Sequence, residues 1–201
     1  MPPDRDDILK LMTTIYIARH GQNEDNVRGI LNGYRDLPLT DLGRQQARQL
    51  ARHIKDRELV FDAVYASPLD RAFETAAIVA TAVGLAEPIA HDDLIERDFG
   101  IMTGKPAADI EEICAPDIIK AENVTYFLHP DGAETFPELL ARGQRVLDFM
   151  ARQHPDQTVL LACHGDIGKM IYAAATSTPW RQVLTDFYFG NTDIIGPVDV
   201  S

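Results

Sequence analysis

Three short apolar runs stand out along the chain: Ile15-Tyr16-Ile17-Ala18, Ala63-Val64-Tyr65-Ala66 and Val159-Leu160-Leu161-Ala162-Cys163. None alternates cleanly with polar positions, which is the pattern of strands covered on both faces. Between them the apolar spacing lengthens from two to three or four. Ala47, Leu50, Ala51 and Ile54 follow the loop Leu37-Pro38-Leu39-Thr40 at i, i+3, i+4, i+7, the stripe of an amphipathic helix. A second stripe (Leu69, Ala72, Phe73, Ala76, Ala80, Val83) follows Ser67-Pro68-Leu69-Asp70. That start reads as a Ser N-cap with Pro at N1 and an acid at N3, and Gly84 supplies the stop. A third stripe runs through Phe136, Leu139, Leu140, Val146, Leu147 and Met150 behind the capping box Thr135-Phe136-Pro137-Glu138, and a fourth uses Ile167, Met170, Ile171 and Ala174. Strand and helix alternate, so the expected class is α/β: a single three-layer domain, its central mostly parallel sheet covered by helices on both faces.

Residues 99–134 break this rhythm. Gly100, Gly104, Pro106, Pro116, Pro130 and Gly132 are scattered around one expected helix at 107–114, and the segment is expected to form a cap over a site. Near the end, Phe187-Tyr188-Phe189 and Asp193-Ile194-Ile195 are separated by Gly190-Asn191, a turn leading into a late edge strand. Neither a repeat nor a Pro/Gly/Ser linker divides the chain. The expected organisation is therefore a loose lead-in at 1–12 and one domain over 13–201.

Composition narrows the function classes. The 201 residues carry 19 Lys and Arg against 31 Asp and Glu, a net charge of −12, which argues against a nucleic-acid binder working through a broad basic face. An anionic ligand would have to meet a local cluster of arginines. Only Cys114 and Cys163 occur, too few for a disulfide framework and without the paired spacing of a zinc site, so free thiols in a reducing compartment are expected. No apolar run reaches the length of a membrane span, and the start lacks the basic-then-apolar order of a secretion signal. The chain reads as soluble and cytoplasmic, with no membrane partner.

Two of the expected strands end alike: the first runs into Arg19-His20-Gly21 and the third into His164-Gly165. In open α/β sheets ligands bind at the carboxyl edge, and a glycine there permits close backbone approach. One such histidine could merely cap its strand; two at the same edge point to a site. Arg71 lies in the first turn of its helix, where the positive end of the dipole disfavours a cation. A phosphate held between that terminus, Arg71 and Arg19 would compensate; a surface pairing of Arg71 with Asp70 or Glu74 is the plainer alternative. Glu96, within Leu94-Ile95-Glu96-Arg97-Asp98-Phe99-Gly100, is by itself equally well explained by a surface ion-pair network.

Taken together these residues spell a family. Arg19-His20-Gly21-Gln22 with Asn26, Pro38-Leu39-Thr40 with Gly43 and Ala47, Ser67-Pro68-Leu69 with Arg71, Ala72 and Glu74-Thr75-Ala76, Glu96-Arg97 with Phe99-Gly100, and Cys163-His164-Gly165 occur in that order. Over about residues 14–176 the chain resembles the histidine phosphatase superfamily in its phosphoglycerate-mutase-like branch. The resemblance implies that His20 is the nucleophile that accepts a phosphoryl group, that Arg19, Arg71 and His164 bind it, and that Glu96 is the proton donor. Gly21 and Asn26 match the phosphate loop, and Asn32-Gly33 falls where relatives contact substrate. The implied ligand is a small phosphorylated metabolite, and the resemblance implies neither a metal nor an organic cofactor. The chemistry is coherent: a neutral imidazole attacks phosphorus near pH 7, and two easier steps replace one hard one.

Departures leave alternatives open. His164-Gly165 continues into Asp166, which could compete with Glu96 as donor, and Cys163 beside His164 could suggest a thiol nucleophile although a small residue ending a buried strand is the commoner role. A phosphatase and a mutase would share His20. A mutase that handles a bisphosphorylated intermediate needs extra cations, and the span from Gly100 to Gly132 holds only Lys105 and Lys120, which favours the phosphatase. A non-catalytic phospho-ligand-binding module is the alternative from another class.

Overall fold

The structure, a computed structural model, describes residues 12–201; nearly all of the expected lead-in lies outside the described residues. Among the described residues seven strands and seven α-helices follow in chain order. The first half runs β1 (Thr13–Arg19), α1 (Glu24–Arg28), α2 (Asp41–Asp56), β2 (Ala63–Ala66), α3 (Asp70–Val83) and β3 (Ile89–Ala90). The second half comprises α4 (Ile110–Cys114), β4 (Ile118–Lys120), β5 (Thr125–Phe127), α5 (Phe136–Gln153), β6 (Thr158–Cys163), α6 (Gly165–Thr176), α7 (Trp180–Asp186) and β7 (Ile194–Val200). A five-stranded sheet has the order β3-β2-β6-β1-β7. All neighbours are parallel except β7, which pairs antiparallel with β1 at the edge.

Strand alternation divides the core in two. Ile15, Ile17, Val159, Leu161 and Cys163 point to the face covered by α5, α6 and α7, whereas Tyr16, Ala18, Leu160 and Ala162 meet α2 and α3 on the other. Both faces of the central strands are thus apolar, which is why their runs showed no period of two. On α2 the buried residues are Ala47, Leu50, Ala51 and Ile54 together with Gly43; removing a Leu or Ile side chain of this kind from water contributes about 1.5–3 kcal/mol.

Several helix ends follow local chemistry. Thr40 caps α2 through the Gly43 N–H, the Thr135–Glu138 box caps α5, and Gly84 ends α3 in the left-handed conformation at φ 80°. The start of α3 departs from its sequence signal. The helix opens at Asp70 with Leu69 at the N-cap and no side-chain cap, so Ser67 is not the cap that its surroundings suggested. Its hydroxyl bonds His164 instead, at 2.8 Å.

The 99–134 segment contains short 3-10 turns at 100–102 and 107–109, then α4 and the hairpin of β4 and β5. The expected helix at 107–114 is present as the second turn plus α4; the hairpin gave no readable signal because its strands are three residues each. Phe99, Met102, Ile110 and Phe127 form a small apolar cluster of their own there. Phe187-Tyr188-Phe189 is a connection and not a strand, while β7 is the expected late edge strand.

Candidate active site

Parallel register brings the site together. Arg19 on β1 is level with Cys163 on β6, and Ala66 on β2 is level with Ala162. His20 and His164 therefore leave the carboxyl edge at the same height, and Ser67, one register position earlier on β2, comes beside His164. The His20 N–H donates to the Cys163 carbonyl at 3.0 Å, and the two imidazole centroids are 5.0 Å apart at 61°.

The surroundings of His20 select its tautomer. Its Nδ1 lies 2.7 Å from the Gly21 carbonyl; a carbonyl only accepts, so Nδ1 carries the proton and Nε2 keeps its lone pair. Burial, followed by the charges of Arg71 and Arg19, holds its pKa well below 6.5, so the ring stays neutral. His164 Nε2 lies 2.8 Å from the Ser67 hydroxyl, whose oxygen accepts the Leu69 N–H at 3.3 Å; with the hydroxyl proton given to Nε2, Nδ1–H of His164 is a donor. Burial comes first, then Arg71 and His20, in pushing this pKa down as well.

Arg71 is fully buried, which discards the surface alternative, and Glu74 pairs with Arg44 at 2.6 Å. Arg71 reaches back to the carbonyls of Gly33 at 3.0 Å and Arg35 at 2.5 Å. Burial, only partly offset by Glu96, lowers its pKa to about 10. Arg19 donates to the Phe189 carbonyl at 2.6 Å. Three buried nitrogens, Arg19 Nε, Arg71 Nε and His164 Nδ1, have no hydrogen-bond partner among the described residues. An unsatisfied buried donor costs about 1–3 kcal/mol, and clustering three of them beside one neutral imidazole creates a ready site for an anion's oxygens.

Glu96 and Arg97 are buried, 7% and 1% exposed, so their run is not a surface network. The Glu96 carboxylate accepts the N–H groups of Gly165 at 3.1 Å, Asp166 at 3.2 Å and Ile167 at 3.2 Å. It thus occupies the N-terminus of α6, where an anion is favoured. Oε1 also takes the Arg97 N–H at 2.9 Å, which leaves Oε2 the less occupied oxygen. Burial, then repulsion from Asp166, raises the Glu96 pKa above the usual carboxylate range in spite of these donors. Asp166 is tied to Arg97 Nε at 2.8 Å.

A cavity of about 190 Å³ opens in front of His20, lined by Arg19, Arg71, Glu96, Asn26 and Asn32 among others. Asn26 Oδ1 accepts from Asn191 at 3.2 Å and from the Asn23 N–H at 3.3 Å, leaving its NH2 free to donate. Asn32 is held against the Asn23 amide at 2.7 Å. Gly21 and Gly33 do not line the cavity. The Gly21 N–H donates to Thr75 Oγ1 at 3.0 Å and a Cβ there would sit 2.5 Å from the Gly43 carbonyl oxygen, so this glycine allows two loops to touch. Gly33 acts through its carbonyl on Arg71. His164 is also outside the lining.

Several contributors escaped the sequence reading. Ser67 looked like a helix cap. Arg142 lies mid-helix in α5, yet its guanidinium binds the Glu134 carboxylate at 2.6 and 2.9 Å and the carbonyls of Ile95 at 2.5 Å and Glu96 at 3.1 Å, clamping the strip that carries Glu96. Lys169, Tyr126 and Tyr188 line the cavity; a lysine within the apolar stripe of α6 was the one available hint. Cys163 is fully buried, and burial raises its pKa, so it is not a thiolate.

This arrangement lies at the carboxyl edge of an α/β sheet and offers idle donors to an anion. The chain belongs to the histidine phosphatase superfamily (branch 1), whose description matches residues 15–195, and it is an enzyme acting on phosphoryl groups. It is 32% identical over 177 residues to a 2,3-bisphosphoglycerate-dependent phosphoglycerate mutase of Parvibaculum lavamentivorans, covering 85% of this chain and 83% of that one. Among solved structures it resembles a mycobacterial glucosyl-3-phosphoglycerate phosphatase in complex with VO3, with a TM-score of 0.75 and 26% identity over 90% of each chain. It also resembles a phosphoserine phosphatase of Entamoeba histolytica in complex with 3-phosphoglyceric acid, with a TM-score of 0.71 and 27% identity over 94% of this chain and 95% of that one. Among the described residues no helix is long and apolar enough to cross a membrane.

Proposed function

We propose that this protein is a phosphatase that hydrolyses a small phosphomonoester through a phosphohistidine on His20 and works without a divalent cation. The observation that carries this reading is the set of three orphaned nitrogens on Arg19, Arg71 and His164 beside a histidine whose Nε2 lone pair is free. A bound phosphoryl group satisfies all three. In the first step His20 Nε2 attacks phosphorus, the bond to the leaving oxygen breaks, and Glu96 delivers a proton from Oε2 to that oxygen. In the second, water attacks phosphorus while the Glu96 carboxylate takes its proton, and phosphate leaves His20. The two guanidinium groups and His164 stabilise charge on the equatorial oxygens in both steps. Asn26 donates to the phosphoryl group or to the substrate beside it.

A mutase would use the same first step. It must retain the intermediate and hold a second phosphate, and the 99–134 segment presents Val124 and Tyr126 to the cavity in place of cations; its Lys120 pairs with Glu111 at 2.7 Å. This favours transfer to water. The segment acts as a cap that covers the leaving group. The test is rapid-quench labelling with a ³²P-phosphoester in the presence of EDTA. An acid-labile, alkali-stable phosphoenzyme is expected in the native protein and none in His20→Ala; label retained on the variant would move the nucleophile elsewhere.

A further inference from the structure

The cavity is lined by two chemically different sets of side chains. Arg19 and Arg71 match the charge of one phosphate dianion, and Leu31, Phe99, Val124, Tyr126, Tyr188 and Phe189 form an aliphatic and aromatic share of the wall. Of the described residues that line it, Lys169 is the remaining cation besides those arginines, and its ammonium is already engaged. Nζ donates to the carbonyls of Phe187 at 2.5 Å, Leu184 at 3.1 Å and Val183 at 3.4 Å, which accounts for all three of its protons. Its charge also faces the rings of Phe187 at 4.8 Å and Tyr126 at 5.4 Å. Lys169 therefore ties the end of α7 to α6 and offers nothing to a ligand. Asp166, also on the wall, is paired with Arg97 and adds no cation.

We infer that the leaving group this cavity accepts is uncharged and largely apolar, of ring or short-alkyl size, and that a carboxylate or second phosphate next to the phosphoester is rejected. A second anion would lose its water against aromatic and aliphatic side chains with no unoccupied cation to receive it. An apolar group would instead cover the same side chains and gain from their burial. This inference rests on the phosphoryl site proposed above and specifies its substrate class.

Non-hydrolysable phosphonates separate the two ideas. Calorimetric titration of the whole chain with methylphosphonate, benzylphosphonate and 3-phosphonopropionate should give benzylphosphonate at least about tenfold tighter than methylphosphonate, with 3-phosphonopropionate no tighter than methylphosphonate. Val124→Ala and Leu31→Ala, on separate segments, should each narrow the benzyl-to-methyl ratio by about threefold. A 3-phosphonopropionate that matches benzylphosphonate, equal affinities for all three, or binding of none overturns the inference. Turnover of benzyl phosphate and 3-phosphoglycerate, both alkoxide leaving groups, completes the design. The phosphonate order without any turnover upholds the substrate class and defeats the phosphatase reading. Faster hydrolysis of 3-phosphoglycerate through phosphohistidine does the reverse.

Discussion

Two regions of this molecule bury arginines within the same carboxyl-edge layer, and they treat them in opposite ways. In the cavity lining, Arg19 and Arg71 each keep a buried Nε without a partner. On the flank behind Glu96, Arg142 forms a two-pronged pair with Glu134, and Arg97 pairs with Asp166 while lying over Phe127 at 4.2 Å and Phe136 at 4.4 Å. Burial of charge is costly in both places. The flank offsets it with partners from the protein itself, so it is a rigid support. At Arg19 and Arg71 part of the offset is missing, and the proposed phosphoryl group would supply it. Burial alone does not distinguish the two pairs of arginines; the idle donor does.

The sharpest way to break this comparison is to delete one member from each region. Arg97→Ala leaves Asp166 unpaired and empties the space among three rings, and should cost about 3–5 kcal/mol of stability in urea unfolding. Arg71→Ala should cost less, on the scale of two lost hydrogen bonds to Gly33 and Arg35, yet lower kcat/KM by about 2–4 kcal/mol. Phosphate should raise the Tm of the native protein and do so much less in Arg71→Ala. If Arg97→Ala lost activity with its stability intact, the division into support and site would fall.

The contrast between the two buried acids is next in size. Glu96→Gln should slow hydrolysis of alkoxide leaving groups by about 100-fold while sparing phosphorylation by an activated aryl phosphate, and phosphohistidine should accumulate with that activated substrate. Asp166→Asn should show neither leaving-group dependence nor accumulation, because its carboxylate serves Arg97. An exchange of these behaviours would make Asp166 the donor while leaving His20 the nucleophile.

The smallest effect is on the pH dependence of stability. His20 and His164 are held below their ordinary value of 6.5 in the folded state, so in acid the unfolded chain binds more protons than the folded one. Stability should be fully present above about pH 6.5 and decline as pH falls below it. Thermal melts from pH 7.5 downward check this. A lysine or glutamate substitution on the surface should not alter that slope, whereas His164→Asn should flatten it.

Much of the scaffold was legible because its signals are short-range. The Thr135–Glu138 box and the Gly84 stop act within four residues, and the doubly covered strands announced themselves by lacking alternation. The Ser67 signal was real in composition but wrong in consequence: the helix opens behind Leu69 with no side-chain cap, and the Ser67 hydroxyl is drawn to a histidine 97 residues away. The Glu96-Arg97-Asp98 run likewise reads as surface charge, since nothing in its spacing reveals Phe127, Phe136 and Asp166 around Arg97. The short β4–β5 hairpin and α7 carry too few residues for a period to register.

By itself, then, the sequence determined an α/β scaffold, the strands that end in His20 and His164, and the motif residues of the histidine phosphatase superfamily, because apolar period, caps and strand ends are written in neighbouring residues. Only the tertiary structure decided which nitrogens are idle and which are satisfied. That depends on the parallel register of β2, β6 and β1, and on contacts such as Arg97 with Asp166, 69 residues apart, whose meeting is set by sheet order and helix packing and is invisible to any local pattern.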